Sequence, residues 1–317
     1  MKKQLNRRSF LNYSAAALGT VPFISPINAF GYNSSAVAPQ EIFLFSKHLQ
    51  FLDYKDMADA AAEMGFAGLD LTVRPKGHVL PENVEEDLPK AVKEMKKAGL
   101  KINLMTTAIT DASVPVNKKV LKTAAKLGFK CYRTGWLKYP KDQEIPAAVE
   151  EFKVQMKALG ELNEEVGIVG AYQNHSGLYV GAAIWEIWEI LKNADPEFFG
   201  CQYDIRHASV EGGKSWPTGL KLIKPRIKTI ILKDYKWIEE NGKWKLINTP
   251  LGEGMVDFIS YFKLLKEYKI NLPVSLHLEY DLGGANHGQK EISISKEEVF
   301  KAMRKDLKTA KELWEKA

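Results

Sequence analysis

The chain has 317 residues, enough for one large α/β barrel or two ordinary domains. Its 45% apolar and 26% charged content is that of a globular protein, not of a disordered or membrane-embedded one. The net charge of +6 is mild, and the lysines mix with glutamates along amphipathic stretches such as 91–99 and 301–316. No basic motif interleaved with aromatics is present, so a nucleic-acid partner is excluded.

In chain order, the first feature is a basic head, Lys2, Lys3, Arg7 and Arg8, followed by a short apolar core from Phe10 to Phe23 and a cleavage-like stretch ending at Ala29. The pattern predicts a secretory signal peptide over residues 1–29, too short to span a bilayer. Within it, Asn6-Arg7-Arg8-Ser9-Phe10-Leu11 resembles the twin-arginine export signal. The expectation is an exported protein of the bacterial periplasm. No later apolar run approaches the roughly 20 residues of a membrane span. Cys131 and Cys201 both fall in predicted strands, and buried free thiols are expected rather than a disulfide.

From residue 40 onward one signature recurs: an amphipathic helix, a glycine, then an apolar β-rich run. Gly65 precedes a strand at 66–73, Gly99 one at 102–105, Gly128 one at 129–133 and Gly167 one at 168–173. Glycine ends a helix cheaply in the left-handed conformation, and nearly unbroken apolar strands belong to sheets covered on both faces. Further strands are predicted at 42–45, 199–204, 229–232 and 274–278. Eight such units over 40–317 predict an α/β fold, a closed (β/α)8 barrel with right-handed crossovers. An open doubly wound sheet would want a glycine-rich phosphate loop after the first strand, and Ser46-Lys47-His48-Leu49 offers none. Aromatic-rich arms around Asn241-Gly242 predict a small β-hairpin inserted after the seventh strand.

All six histidines, His48, His78, His175, His207, His277 and His287, fall at or just past the C-terminal end of a predicted strand. That is the end where barrel active sites are built. Strand alternation puts Gln173 with His175, His277 with Glu279, and Asp70 with Thr72 and Arg74 on shared inward faces. The sixth strand is expected to run out into a loop carrying His207. The barrel mouth is thus expected to gather Gln173, His175, Asp204, His207, Lys233, His277 and Glu279, a set that is costly to bury without pairing, a ligand or a metal. Lys47, His48, Arg74, Arg133 and Trp136 are expected to line the substrate side. Asp234 and Asp257 read as caps, His78 as loop surface or a substrate contact, and the glycine-rich 283–288 segment as a lid.

Several of these motifs, in this order, resemble the xylose isomerase-like TIM-barrel superfamily of sugar isomerases and epimerases. They are Gln173-Asn174-His175, Asp204-x-x-His207, Leu232-Lys233-Asp234, Gly252-Glu253-Gly254-x-Val256-Asp257 and Glu279. The resemblance implies a divalent metal (Mn, Mg or Zn) held by two glutamates, an aspartate and a histidine, with the glutamates moving protons beside a sugar carbonyl. Asp204 and Glu279 match two ligand positions, and His207 matches a substrate-contacting histidine. Gln173 stands where the first glutamate is expected and cannot act as a base, although its amide oxygen can still meet a hard cation. Ile231 stands where the ligand histidine is expected and cannot bind metal. The expected ligand set is therefore Asp204, Glu279, Gln173 and His277, with Lys233 taking over part of the metal's task.

The resemblance implies a carbohydrate substrate and proton abstraction beside its carbonyl, with Glu279, His175 or His207 as base. Reprotonation makes the enzyme an isomerase or epimerase. Expulsion of a leaving group makes it a lyase or hydratase on a 3-keto-glycoside. A sugar-binding barrel that has lost catalysis is the third reading. The sequence sets no oligomeric state.

Overall fold

In the computed structural model, residues 40–317 are described; the predicted signal segment lies outside them. Eight parallel strands close into a barrel: β1 (Ile42–Phe45), β2 (Gly68–Thr72), β3 (Lys101–Thr106), β4 (Cys131–Arg133), β5 (Val169–Gln173), β6 (Phe199–Asp204), β7 (Ile227–Leu232) and β10 (Val274–Leu276). The order around the ring is β1-β10-β7-β6-β5-β4-β3-β2, and every neighbouring pair is parallel. β8 (Asp234–Glu240) and β9 (Lys243–Thr249) form the expected antiparallel hairpin after the seventh barrel strand. Its turn residues Asn241 and Gly242 both have positive φ, 54° and 70°, as a tight two-residue hairpin turn requires.

Two apolar regions hold the barrel. The larger lies between strands and helices. A smaller one, Phe43, Leu104, Cys131 and Ala171, plugs the barrel interior below the polar mouth. Gly68 makes room there, because a Cβ on it would sit 2.6 Å from the Phe43 ring. Both cysteines are buried free thiols, and burial pushes the Cys131 thiol up to about 12.

Most strand boundaries shift by a residue or two from the sequence expectation, and three of the differences have a visible cause. β4 starts at Cys131 because the Phe129 N–H still bonds to Ala124 at the end of the preceding helix. β10 stops at Leu276; beyond it the His48 Nε2 accepts the Leu278 N–H at 3.0 Å. The segment after β6 is not a loop but helix Ile205–Gly212, N-capped by Asp204, whose Oδ1 accepts the His207 N–H at 3.1 Å.

Other readings resolve into structure. Asp257 caps helix Phe258–Glu267 as expected. Asp234 accepts four backbone N–H groups, from Tyr235, Gly252, Gly254 and Val256. The Gly252–Gly254 turn is therefore a clasp around one buried carboxylate, and a Cβ on Gly254 would lie 2.3 Å from Asp234 Oδ1. His78 is half-buried and does not line the barrel-mouth cavity. Its ring meets Ser46 Oγ, Thr72 Oγ1 and the Leu49 carbonyl, each at 3.2 Å. The 283–288 segment carries a 3-10 turn, Ala285–His287, with Ala285 and Asn286 buried and packed over Ser46–Leu49, so it is part of the wall rather than a free lid.

Candidate active site

At the C-terminal mouth of the barrel lies a cavity of about 70 Å³. It is lined by Lys47, Arg74, Arg133, Trp136, Gln173, His175, Lys233, His277 and Glu279, all expected there, and by Phe45, which was not. Alternation on β1 makes Phe45 inward, like Phe43, and its ring stacks on His277 at 4.1 Å. Larger grooves exist on the helix surface, such as one lined by Asp53, Lys55, Lys90 and Lys97. That groove brings together mostly exposed side chains, whereas the barrel cavity gathers buried and half-buried ones.

The wall formed by β5, β6 and β7 carries a closely paired network, although Arg206 Nε, Gln202 Oε1 and Thr229 Oγ1 are buried there without partners. Asp204 Oδ2 accepts from Gln173 Nε2 at 2.8 Å and pairs with Lys233 Nζ at 3.1 Å. Lys233 Nζ also lies 2.8 Å from His207 Nε2. The other ring nitrogen, His207 Nδ1, accepts the Ser176 N–H at 3.1 Å and faces Arg206 Nη1 at 2.9 Å. Burial, reinforced by the nearby cations, holds His207 well below the usual histidine range. Asp204 and His207 are thus paired with Lys233 and do not line this cavity. Ser176 and Arg206 complete this network. Neither was expected, because their pairing with His207 depends on the helical turn after β6.

The wall formed by β1 and β10 is different. Lys47 Nζ bonds Glu279 Oε2 at 2.8 Å. His277 Nδ1 lies 3.6 Å from Glu279 Oε1. Behind it, His277 Nε2 meets Ser275 Oγ at 3.1 Å, and Ser275 donates to Asp70 Oδ2 at 2.7 Å, with Thr106 donating to the other Asp70 oxygen at 2.9 Å. Burial pushes the Glu279 carboxyl up, but His277, Lys47 and Lys233 outweigh it, and the group sits well below the usual carboxylate range. Burial lowers His277 well below its usual range and raises Asp70. His48 does not reach the cavity. It is fully buried, accepts the Leu278 N–H, and burial takes it down to about 3.

His175 stands on the β5 side of the cavity. Its Nδ1 faces the Ser176 carbonyl at 2.9 Å, so this nitrogen carries the proton and Nε2 is left as an acceptor. Burial and the Lys233 charge lower it to about 4, so it is neutral at physiological pH.

The family resemblance implies a divalent metal, and the donor set does not fit one. Among the described residues, no three of His, Cys, Asp and Glu converge as ligands. Asp204 Oδ2 is engaged by an amide and an ammonium, Glu279 Oε2 by a second ammonium, and Gln173 Oε1 accepts from Arg133 Nη1 at 3.0 Å. Oxygens that would ligate an ion already face the protein's own donors. The expected set of Asp204, Glu279, Gln173 and His277 is not assembled, because Lys233 reaches Asp204 first.

A family profile described as the xylose isomerase-like TIM barrel matches residues 58–312, and the chain belongs to that family. No curated protein matches it. Solved structures share its fold. D-psicose 3-epimerase with D-tagatose from Clostridium cellulolyticum H10 aligns with a TM-score of 0.63 at 12% identity, covering 87% of this chain and 99% of that one. The IOLI protein with a bound zinc atom aligns with a TM-score of 0.66 at 16% identity, over 87% and 99%. The probable 3-DHS dehydratase AsbF of petrobactin synthesis in Bacillus anthracis aligns with a TM-score of 0.60 at 14% identity, over 85% and 98%. Identities this low establish a shared fold; the chemistry must be argued from the site.

Proposed function

We propose that the protein is a carbohydrate isomerase or epimerase that removes a proton from a carbon beside a sugar carbonyl. One observation carries this reading: Glu279 is the single carboxylate lining a small cavity whose other fixed charges are Lys47, Arg74, Arg133 and Lys233. The same field that keeps Glu279 ionised favours a negative charge growing on the substrate.

In the proposed step, Glu279 takes the carbon-bound proton. The electron pair moves onto the carbonyl oxygen, which faces the Lys233 ammonium or the Arg133 guanidinium. One well-placed donor to such an oxyanion contributes about 3–4 kcal/mol to the transition state. His175 Nε2, unprotonated, accepts the proton of the neighbouring hydroxyl. Protonation of the adjacent carbon by Glu279, with the His175 proton delivered to the former carbonyl oxygen, completes an isomerisation. The network of Asp204, His207 and Gln173 holds Lys233 still, so the positive charge needs no reorganisation during the step.

Expulsion of a β-substituent from the same enediolate would instead give a lyase, so the product separates the two outcomes. The test is deuterium uptake from D2O, read by NMR, across free ketoses, free aldoses and 3-keto-glycosides. Uptake at one carbon that is lost in Glu279→Gln supports the proposal. Sugar binding by calorimetry without uptake anywhere in the panel overturns it and leaves a binding barrel. Export is proposed on the 1–29 sequence pattern alone, and cell fractionation tests it.

A further inference from the structure

We propose that Arg74 and Arg133 form a subsite for an oxyanion of the substrate, a carboxylate or a phosphate, so that the carbohydrate taken is an acidic one. The inference rests on the reading of the cavity as a substrate site, and it adds the substrate's charge.

Both guanidiniums line the cavity. Each of the cavity's two lysines has a carboxylate partner, Lys47 with Glu279 and Lys233 with Asp204. Among the described residues neither arginine forms a salt bridge. Arg133 is 3% exposed; it donates to Gln173 Oε1 at 3.0 Å and to the Thr107 carbonyl at 3.3 Å. Its Nε has no partner although buried, and the buried indole Nε1 of Trp136 beside it has none either. The Arg74 side chain makes no hydrogen bond among the described residues, and its guanidinium lies over the Phe45 ring at 5.6 Å. Arg133 lies over Trp136 at 4.2 Å.

Aromatic rings thus hold the guanidiniums while leaving donors unspent. A planar fork with free N–H groups matches the two oxygens of a carboxylate or the edge of a phosphate. The nearest spare counter-charge, Asp70, is already held by Ser275 and Thr106, and burial raises it toward the neutral form. Like charge also acts between the pair: burial first, then Arg74, lowers Arg133 to about 9. Two neighbouring cations, Arg133 buried and Arg74 half-buried, feel Asp70 and Glu279 but form no ion pair with either, and an anion arriving with the substrate would supply one. A cavity of about 70 Å³ is well under the ~300 Å³ at which sites that enclose a whole small molecule begin.

The experiment is calorimetry on the wild-type protein with glucuronate, glucose 6-phosphate and glucose as probes. At least one acidic probe is expected to bind about tenfold or more tighter than glucose, a gap of ~1.4 kcal/mol. The tighter of the two tells carboxylate from phosphate. Arg74→Gln is expected to remove that advantage, so that the acidic probes bind the variant no more tightly than glucose does. Arg133→Lys, which keeps a charge but not the fork, is expected to reduce it, and circular dichroism confirms that each variant is folded. Equal binding of acidic and neutral probes, no binding by any of them, or an acid preference that survives Arg74→Gln overturns the subsite. Deuterium uptake is scored separately. Uptake on neutral sugars with no acid preference sinks the subsite alone, whereas acid-selective binding without any uptake sinks the proposed reaction alone.

Discussion

The two walls of the barrel mouth use the same kinds of side chain to opposite ends. On the β5–β6–β7 wall, Gln173, Asp204, His207 and Lys233 meet one another within 3.1 Å, with Ser176 and Arg206 closing the far side. On the opposite wall, Glu279 leans on Lys47, His277 stands 3.6 Å off, and Arg74 and Arg133 have no anionic partner. A satisfied buried network is rigid and gains little from a ligand, while an unsatisfied one lowers its free energy by taking one up. The contrast teaches where to look for each role. The closed wall positions one lysine. The open wall is built to receive something.

The sharpest way to test that division is Glu279→Gln. Loss of a general base costs about 10²–10⁴-fold in rate, so deuterium uptake should fall within that range. Thermal stability should fall only moderately, because the charge paired with Lys47 is lost but the amide can still accept from it. A large drop in melting temperature with modest loss of exchange would assign Glu279 to the structural wall instead. Next is Lys233→Met. Breaking one partner of a buried ion pair costs about 3–5 kcal/mol, since Asp204 is left fully buried without its cation. Denaturant unfolding should show that loss. The double variant Asp204→Asn with Lys233→Met should recover part of the stability and none of the exchange. Full recovery of exchange would show that the lysine serves only to neutralise Asp204.

The contrast between walls also explains what could be read in the sequence. Glycine-ended helices mark the phase of the repeat, and alternation within a strand tells which residues face inward, so the barrel, the hairpin and most of the lining were legible. Alternation stops counting where a strand ends. Ser46–Leu49 coils into a 3-10 turn, which swings Lys47 to the cavity and His48 into the wall. The residues after Asp204 coil into a helix, which turns His207 behind Lys233. Pairing was not legible either. That Lys233 would reach Asp204, and that Arg74 and Arg133 would be left without anionic partners among the described residues, are distances between different strands. No spacing along the chain encodes them.

Acid should strain both walls, and the effect is smaller per group. Burial lowers His48 to about 3 and holds His207 and His277 well below the usual range, whose reference value is 6.5. The unfolded chain therefore binds more protons than the native one below pH ~6.5, and stability is lost as pH falls through that point. Each such histidine contributes at most about 1.4 kcal/mol per pH unit. Melting temperature should be flat from pH 8 to 7 and decline from about 6.5 downward. Exchange activity, which needs neutral His175, should hold until its pKa of about 4 is approached or the fold is lost. A decline in activity near pH 6 with the melting temperature unchanged would mean that His175 titrates in its ordinary range and that the cations beside it are farther away than the geometry gives.

The smallest expected effect is the most telling about the closed wall. Treatment with EDTA, followed by metal analysis, should leave exchange activity within about twofold of the untreated protein. The reason is chemical. Asp204 Oδ2 already holds an amide and an ammonium, and Glu279 Oε2 holds an ammonium. A divalent ion entering between them would have to displace Lys233 and break its contact with His207 as well. Ligand count and charge set affinity for hard cations. With glutamine at 173 and isoleucine at 231, no three of His, Cys, Asp and Glu converge on that point among the described residues. If stoichiometric metal copurifies and its removal abolishes exchange, then Lys233 moves aside when the ion binds. The wall described as closed would then be the second moving part of the site.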